Sequence, residues 1–156
     1  MKEEVIKECV IDAWDIYANG MVVDKGNKKE DSRSKIKSMA GALRQFTDPE
    51  DAVLHFIKYI EYMLPRSDFS KTLEQILKKI TAMREKGLTD EEMLERLQYT
   101  IGYLAWTADS LDKLDSSGRR GMIEAEFSMI GLKGKEEEYL RKIESSGGED
   151  ERRRRY

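Results

Sequence analysis

The stretch Ser32 to Arg66, SRSKIKSMAGALRQFTDPEDAVLHFIKYIEYMLPR, decides the fold class. Ile36, Met39, Ala40, Leu43 and Phe46 recur at steps of three and four, a spacing that fits one face of an α-helix and not a strand. Val53, Phe56, Ile57, Ile60, Met63 and Leu64 form a second face of the same kind. Between the two, Asp48 is suited to cap a helix. Pro49 then occupies the first helical position, where its missing N–H costs nothing. The polar side of the first helix carries Arg33, Lys37 and Arg44. Gly41 lies between the last two and is expected to admit a close backbone.

The same periodicity extends in both directions. Residues 3 to 18 predict a helix with Ile6, Cys9, Val10, Ala13, Trp14 and Tyr17 on its apolar stripe, stopped by Asn19-Gly20. Residues 20 to 31 then predict a loop, polar and mobile from Asp24 onward. Beyond Pro65, Ser67 or Asp68 is expected to start a helix carrying Phe69, Leu73, Ile76, Leu77, Ile80 and Met83, closed by Gly87. Thr89 and Glu92 form a capping box ahead of the stripe Met93, Leu97, Ile101, Leu104, Ala108 and Leu111. Ser116-Ser117-Gly118 reads as a turn, followed by a helix from Arg119 to Ile130 and a short one over 135 to 144. No strand alternation and no internal repeat is visible. The expected fold is all-α, a single globular bundle of five to six main helices over residues 1–144. Residues 145–156, ending in ERRRRY, are expected to form a disordered charged tail.

Composition narrows the functional classes. The chain has 156 residues, 39% apolar and 38% charged, with a net charge of −3. That charge argues against a protein that coats nucleic acid over its whole surface, and leaves room for a local basic patch. No run approaches the roughly 20 apolar residues of a membrane span. The N-terminal MKEEVIKECVIDAW is charged and helix-periodic, unlike a signal peptide. With a single cysteine, Cys9, placed on an apolar stripe, the cytoplasm is the default compartment.

Catalytic signals are sparse. His55 is the only histidine, and one histidine with one distant cysteine has no metal-ligand spacing. Acidic pairs such as Glu50-Asp51 and Glu91-Glu92 sit where first helical turns favour negative charge. Glu92 with Glu95, and Glu124 with Glu126, loosely suit an all-α metal-dependent nucleotide hydrolase, but the spacing departs from the paired carboxylate motifs such enzymes use. The glycines make no phosphate loop. The reading is a protein that is not an enzyme, with no catalytic, cofactor-binding or metal-ligating residues and no cofactor.

The basic helix face carries the functional signal. Arg33, Lys37 and Arg44 stand at i, i+4 and i+11, on one side of the helix. Lys25, Lys28 and Lys29 precede them in the loop. From Asp24 to Arg44, seven basic residues face three acidic ones, a local excess of four. Reach and charge of this kind suit phosphates. Trp106, Tyr99 and Tyr103 lie off the main stripe of their helix and are candidates for an interface or a ligand. The alternatives are a solvated face on a protein–protein adaptor without nucleic-acid binding, or the hydrolase.

On SRSKIKSMAGALRQF (32–46), FIKYIEYMLPR (56–66) and the aromatic-rich LQYTIGYLAW (97–106), the chain resembles the small subunit of type III CRISPR effector complexes, the Csm/Cmr family. The likeness runs over roughly residues 5 to 115. The chain departs from that pattern in its acidic total and its helices after Ser116. The resemblance implies a non-catalytic antiviral-defence subunit, stacked on other subunits of the effector complex beside the guide and target RNA. It implies that Lys37, Arg44 and Arg33 meet RNA phosphates, with self-association allowed and no membrane contact. Lys28 and Lys29 join the RNA-binding set from the reading of the basic loop.

Overall fold

The structure, a computed structural model, describes residues 1–25 and 32–144. It is all-helical. Helix α1 (Glu3–Ile16) runs through a π-helical segment (Tyr17–Met21) into α2 (Val22–Lys25). Then follow α3 (Ser32–Gln45), α4 (Pro49–Met63), a 3-10 turn (Leu64–Arg66), α5 (Ser70–Glu85), α6 (Asp90–Asp112) and α7 (Ser116–Met129). Residues 136–144 are helical as well, and no strand occurs among the described residues. Among the described residues there are thus seven named helices rather than five or six, because the first helical rod is longer and is divided by its π segment. Among the described residues no helix is long and apolar enough to cross a membrane.

Helix α6 is the axis of the bundle, packed against α1, α3 and α4. Its local signals act as the sequence implies. Thr89 Oγ1 accepts from Glu92 N at 3.2 Å while Glu92 Oε1 accepts from Thr89 N at 3.2 Å. Met93, Leu97, Ile101, Leu104, Ala108 and Leu111 are all buried in one continuous core. In α4, Asp48 accepts from Asp51 N at 3.2 Å and Pro49 takes the first position. Val53, Phe56 and Ile60 face inward, while Leu54, Tyr59 and Tyr62 remain exposed. Gly87, at φ 77°, closes α5.

Four local expectations are overturned. Asn19-Gly20 does not stop the first helix. The chain passes through both residues in π-helical form because Gly20 lies against the first turn of α5. A Cβ at Gly20 would stand 2.7 Å from Thr72 Cα and 3.1 Å from Thr72 N. Asp24 is not in a mobile loop but 3% exposed. Its carboxylate accepts from Lys71 N (3.1 Å), Thr72 N (2.8 Å) and Thr72 Oγ1 (2.7 Å). This is why α5 begins at Ser70 rather than at Ser67 or Asp68: the N–H groups of its first turn, which lack partners within the helix, are capped from another helix. Finally, Ser116-Ser117-Gly118 is the first turn of α7, because Asp115 accepts from Gly118 N at 2.7 Å.

Gly41 also differs from expectation. Among the described residues no backbone approaches it, and a Cβ there would meet nothing within 4 Å. Its flexibility is therefore a cost inside α3 without a packing return. Gly41→Ala should stabilise the protein by about 0.5–1 kcal/mol, measured by urea denaturation.

Candidate nucleic-acid interface

Helices α3 and α6 run antiparallel, and their shared face sorts the basic row into two parts. Near the start of α3, Arg33 Nε lies 3.0 Å from Asp112 Oδ2, and Lys25 Nζ lies 3.5 Å from Asp112 Oδ1. Four residues on, Lys37 Nζ lies 3.4 Å from Asp109 Oδ1, and Lys113 lies 3.7 Å from Asp109 Oδ2. The hydrogen bond from Lys37, with the charge of Lys113 beside it, holds the Asp109 carboxyl below its ordinary range.

Further along, the α6 residues facing α3 cease to be acidic. Gly102 and Gln98 take their place. Gln98 Nε2 donates to the Leu43 carbonyl at 2.8 Å, satisfying one of the unpaired carbonyls at the end of α3. A Cβ on Gly102 would sit 3.7 Å from Arg44 Nη2, so the guanidinium lies over the glycine. Arg44 is exposed, and among the described residues no carboxylate pairs with it. It stands in the last turn of α3, where the helix dipole favours a cation.

Arg44 and Lys37 form one wall of an open groove of about 520 Å³, with α6 forming the other. The α6 wall is aromatic. Tyr99 and Tyr103 stack with ring centroids 6.3 Å apart and planes 12° apart. Trp106, one turn further, is 76% exposed. Tyr103 is fixed from behind, its hydroxyl donating to Glu126 Oε2 of α7 at 2.6 Å. Burial, with the Glu126 hydrogen bond and charge, pushes the Tyr103 phenol far above its ordinary value. Burial likewise raises the Glu126 carboxyl, although the Tyr103 hydrogen bond opposes it.

That raised carboxyl has a measurable consequence. A group whose folded value lies above its unfolded value contributes stability at low pH, lost as pH rises through the folded value. Glu126 therefore favours the fold below about pH 4 and withdraws that support above it. Glu126→Gln keeps an acceptor for Tyr103 and removes the half-buried charge. Its melting temperature should gain on wild type as pH is raised from about 4 to 7, and equal gains at all pH values would contradict this account.

The remaining candidates lie apart from the groove. Lys28 and Lys29 fall outside the described residues, as does the Arg152–Arg155 run. His55 is exposed, its Nδ1 donating to the Asp51 carbonyl at 2.7 Å and its ring stacked on Phe46 at 5.5 Å. The four hydrolase carboxylates have separate partners. Glu92 caps α6, Glu95 lies 3.7 Å from the terminal ammonium, Glu124 lies 3.7 Å from Arg120, and Glu126 holds Tyr103. Among the described residues no three His, Cys, Asp or Glu side chains converge as metal ligands. Periodicity alone missed the role of Gly102 and Gln98. Their signal was the lack of acids on that part of the α6 face.

No family model, curated protein or solved structure matches the chain.

Proposed function

We propose that the chain is a non-catalytic RNA-binding subunit of a ribonucleoprotein complex. Its role is that of the type III CRISPR small subunits which residues 32–66 and 97–106 resemble. One observation carries the reading: among the described residues Arg44 has no carboxylate partner, and it opens onto a groove whose opposite wall holds the half-buried rings of Tyr99 and Tyr103 and the exposed ring of Trp106. Cations that can reach phosphate, next to rings that can meet bases or sugars, are the two elements of RNA contact without strict sequence readout. Arg33 contributes less than Lys37: both cations have a carboxylate partner, but Arg33 is held closer (3.0 Å to Asp112 against 3.4 Å from Lys37 to Asp109) and is less exposed, 31% against 56%.

The test is RNA binding by the full chain at low salt. Lys37→Glu with Arg44→Glu should weaken binding at least about tenfold and leave the thermal melt near that of wild type. Each lost phosphate contact should also flatten the salt dependence by about 0.7 in log–log slope on a single strand. Unchanged binding by the double variant refutes the patch.

A second reading, a protein–protein adaptor, draws on Leu54, Tyr59 and Tyr62, all exposed on the outer face of α4. It is selected over the first if a protein partner co-purifies without RNA and is lost on Tyr62→Glu.

A further inference from the structure

The groove specifies more than phosphate contact. Tyr99, Tyr103 and Trp106 stand at i, i+4 and i+7 on α6 and span about 10 Å of helix axis. That is the length of roughly three nucleotides at the ~3.4 Å spacing of a stacked strand. The two tyrosines already stack on each other, and Tyr103 is tied to Glu126. Trp106 has no ring partner among the described residues, and its face is open to solvent. Gly102 leaves the floor between Arg44 and the aromatic wall without a side chain. Asp109, on the Trp106 side, is occupied by Lys37 and Lys113 and so repels a phosphate less than a bare carboxylate would.

Resting on the RNA-binding reading above, we infer that the groove takes unpaired RNA, with a nucleobase stacked on Trp106 and the adjoining phosphate on Arg44. An A-form duplex hides its base faces within its own stack and presents sugar and phosphate instead. Against a duplex, the open indole would gain little. Against a single strand it meets a π-face that every base possesses, which makes the site tolerant of sequence. The cationic wall then follows the backbone of the same strand. This separates the contact made here from a duplex-tracking surface, which needs charge but no exposed ring.

The protein carries its own reporter. Of its two tryptophans, Trp14 is 0% exposed and Trp106 is open. Titration of the full chain with a single-stranded ten-nucleotide oligoadenylate at low salt should therefore quench indole emission through Trp106. A blunt ten-base-pair RNA duplex should bind more weakly and quench little. Trp106→Ala should weaken the single strand about 5- to 100-fold, with Trp106→Phe recovering much of the loss. Trp106 is exposed, so its replacement should leave the fold intact, which a thermal melt of each variant checks. If binding depends on Arg44 but not on Trp106, and duplex binds as tightly as single strand, the stacking inference is overturned and the RNA-binding reading stands. If neither RNA binds at low salt, both are overturned.

Discussion

Replacing Asp24 with alanine is expected to cost about 3–5 kcal/mol of stability. The carboxylate accepts from three donors, two of them on Thr72, which is fully buried. Removing it leaves those donors without partners at the positive end of α5, at about 1–3 kcal/mol for each buried group that water does not reach. Against a typical domain stability of about 5–15 kcal/mol, that is a large share. Asp24→Asn should cost less than alanine but still more than 1 kcal/mol. Its single carbonyl oxygen can serve only one side of the cap, and its amide would face an N–H. Thr72→Val, which removes one bond and keeps the shape, should cost about 1 kcal/mol. Urea denaturation gives the ranking. Hydrogen exchange at the Lys71 and Thr72 amides should accelerate first in the alanine variant. If Asp24→Ala melts with wild type, the cap is not a structural support.

The second large effect is steric. Gly20→Ala should destabilise by about 2–3 kcal/mol, even though alanine is worth about 1 kcal/mol more than glycine in a helix interior. The new Cβ would lie 2.7 Å from Thr72 Cα, and the atoms it meets are backbone, which cannot swing aside as a side-chain end would. Relief requires the π segment to withdraw from α5, which stretches the Asp24 bonds a turn away. The two sites should therefore couple, with Gly20→Ala and Asp24→Ala together costing less than their sum. Gly41→Ala is the internal control: the same chemical change, in a helix, with open space around the added methyl and the opposite sign expected. Additive losses at residues 20 and 24, or a loss at residue 41 as large as that at residue 20, would contradict this packing account.

Both effects arise where α1, the π segment and α2 meet α5, away from the α3–α6 groove. Variants at Asp24 and Gly20 should thus lower stability without altering the residues that line the groove. Lys37, Arg44 and Trp106 variants should do the reverse. A protein whose RNA affinity followed its stability across all of these would not be using the groove as a separate site.

The sequence by itself determined the helical class, the buried stripe of α6, the capping box at Thr89 and the Asp48-Pro49 start of α4. Each of these depends on residues within a few positions of one another, or on a 3.6-residue period, so the information is complete in a short window. It also marked Trp106 as lying off the core stripe. The tertiary structure alone decided the rest. Asp24 caps an N-terminus 47 and 48 residues away, and Gly20 reads as a helix stop until α5 is placed against it. Arg33, Lys37 and Arg44 are equivalent on a helical wheel. They become unequal only when α6 sets Asp112 beside the first, Asp109 beside the second and Gly102 beside the third. The physical reason is the same in every case: a charge, an N–H or a missing Cβ acquires its role from what lies within a few ångströms. For residues dozens of positions apart, only helix packing brings those partners together.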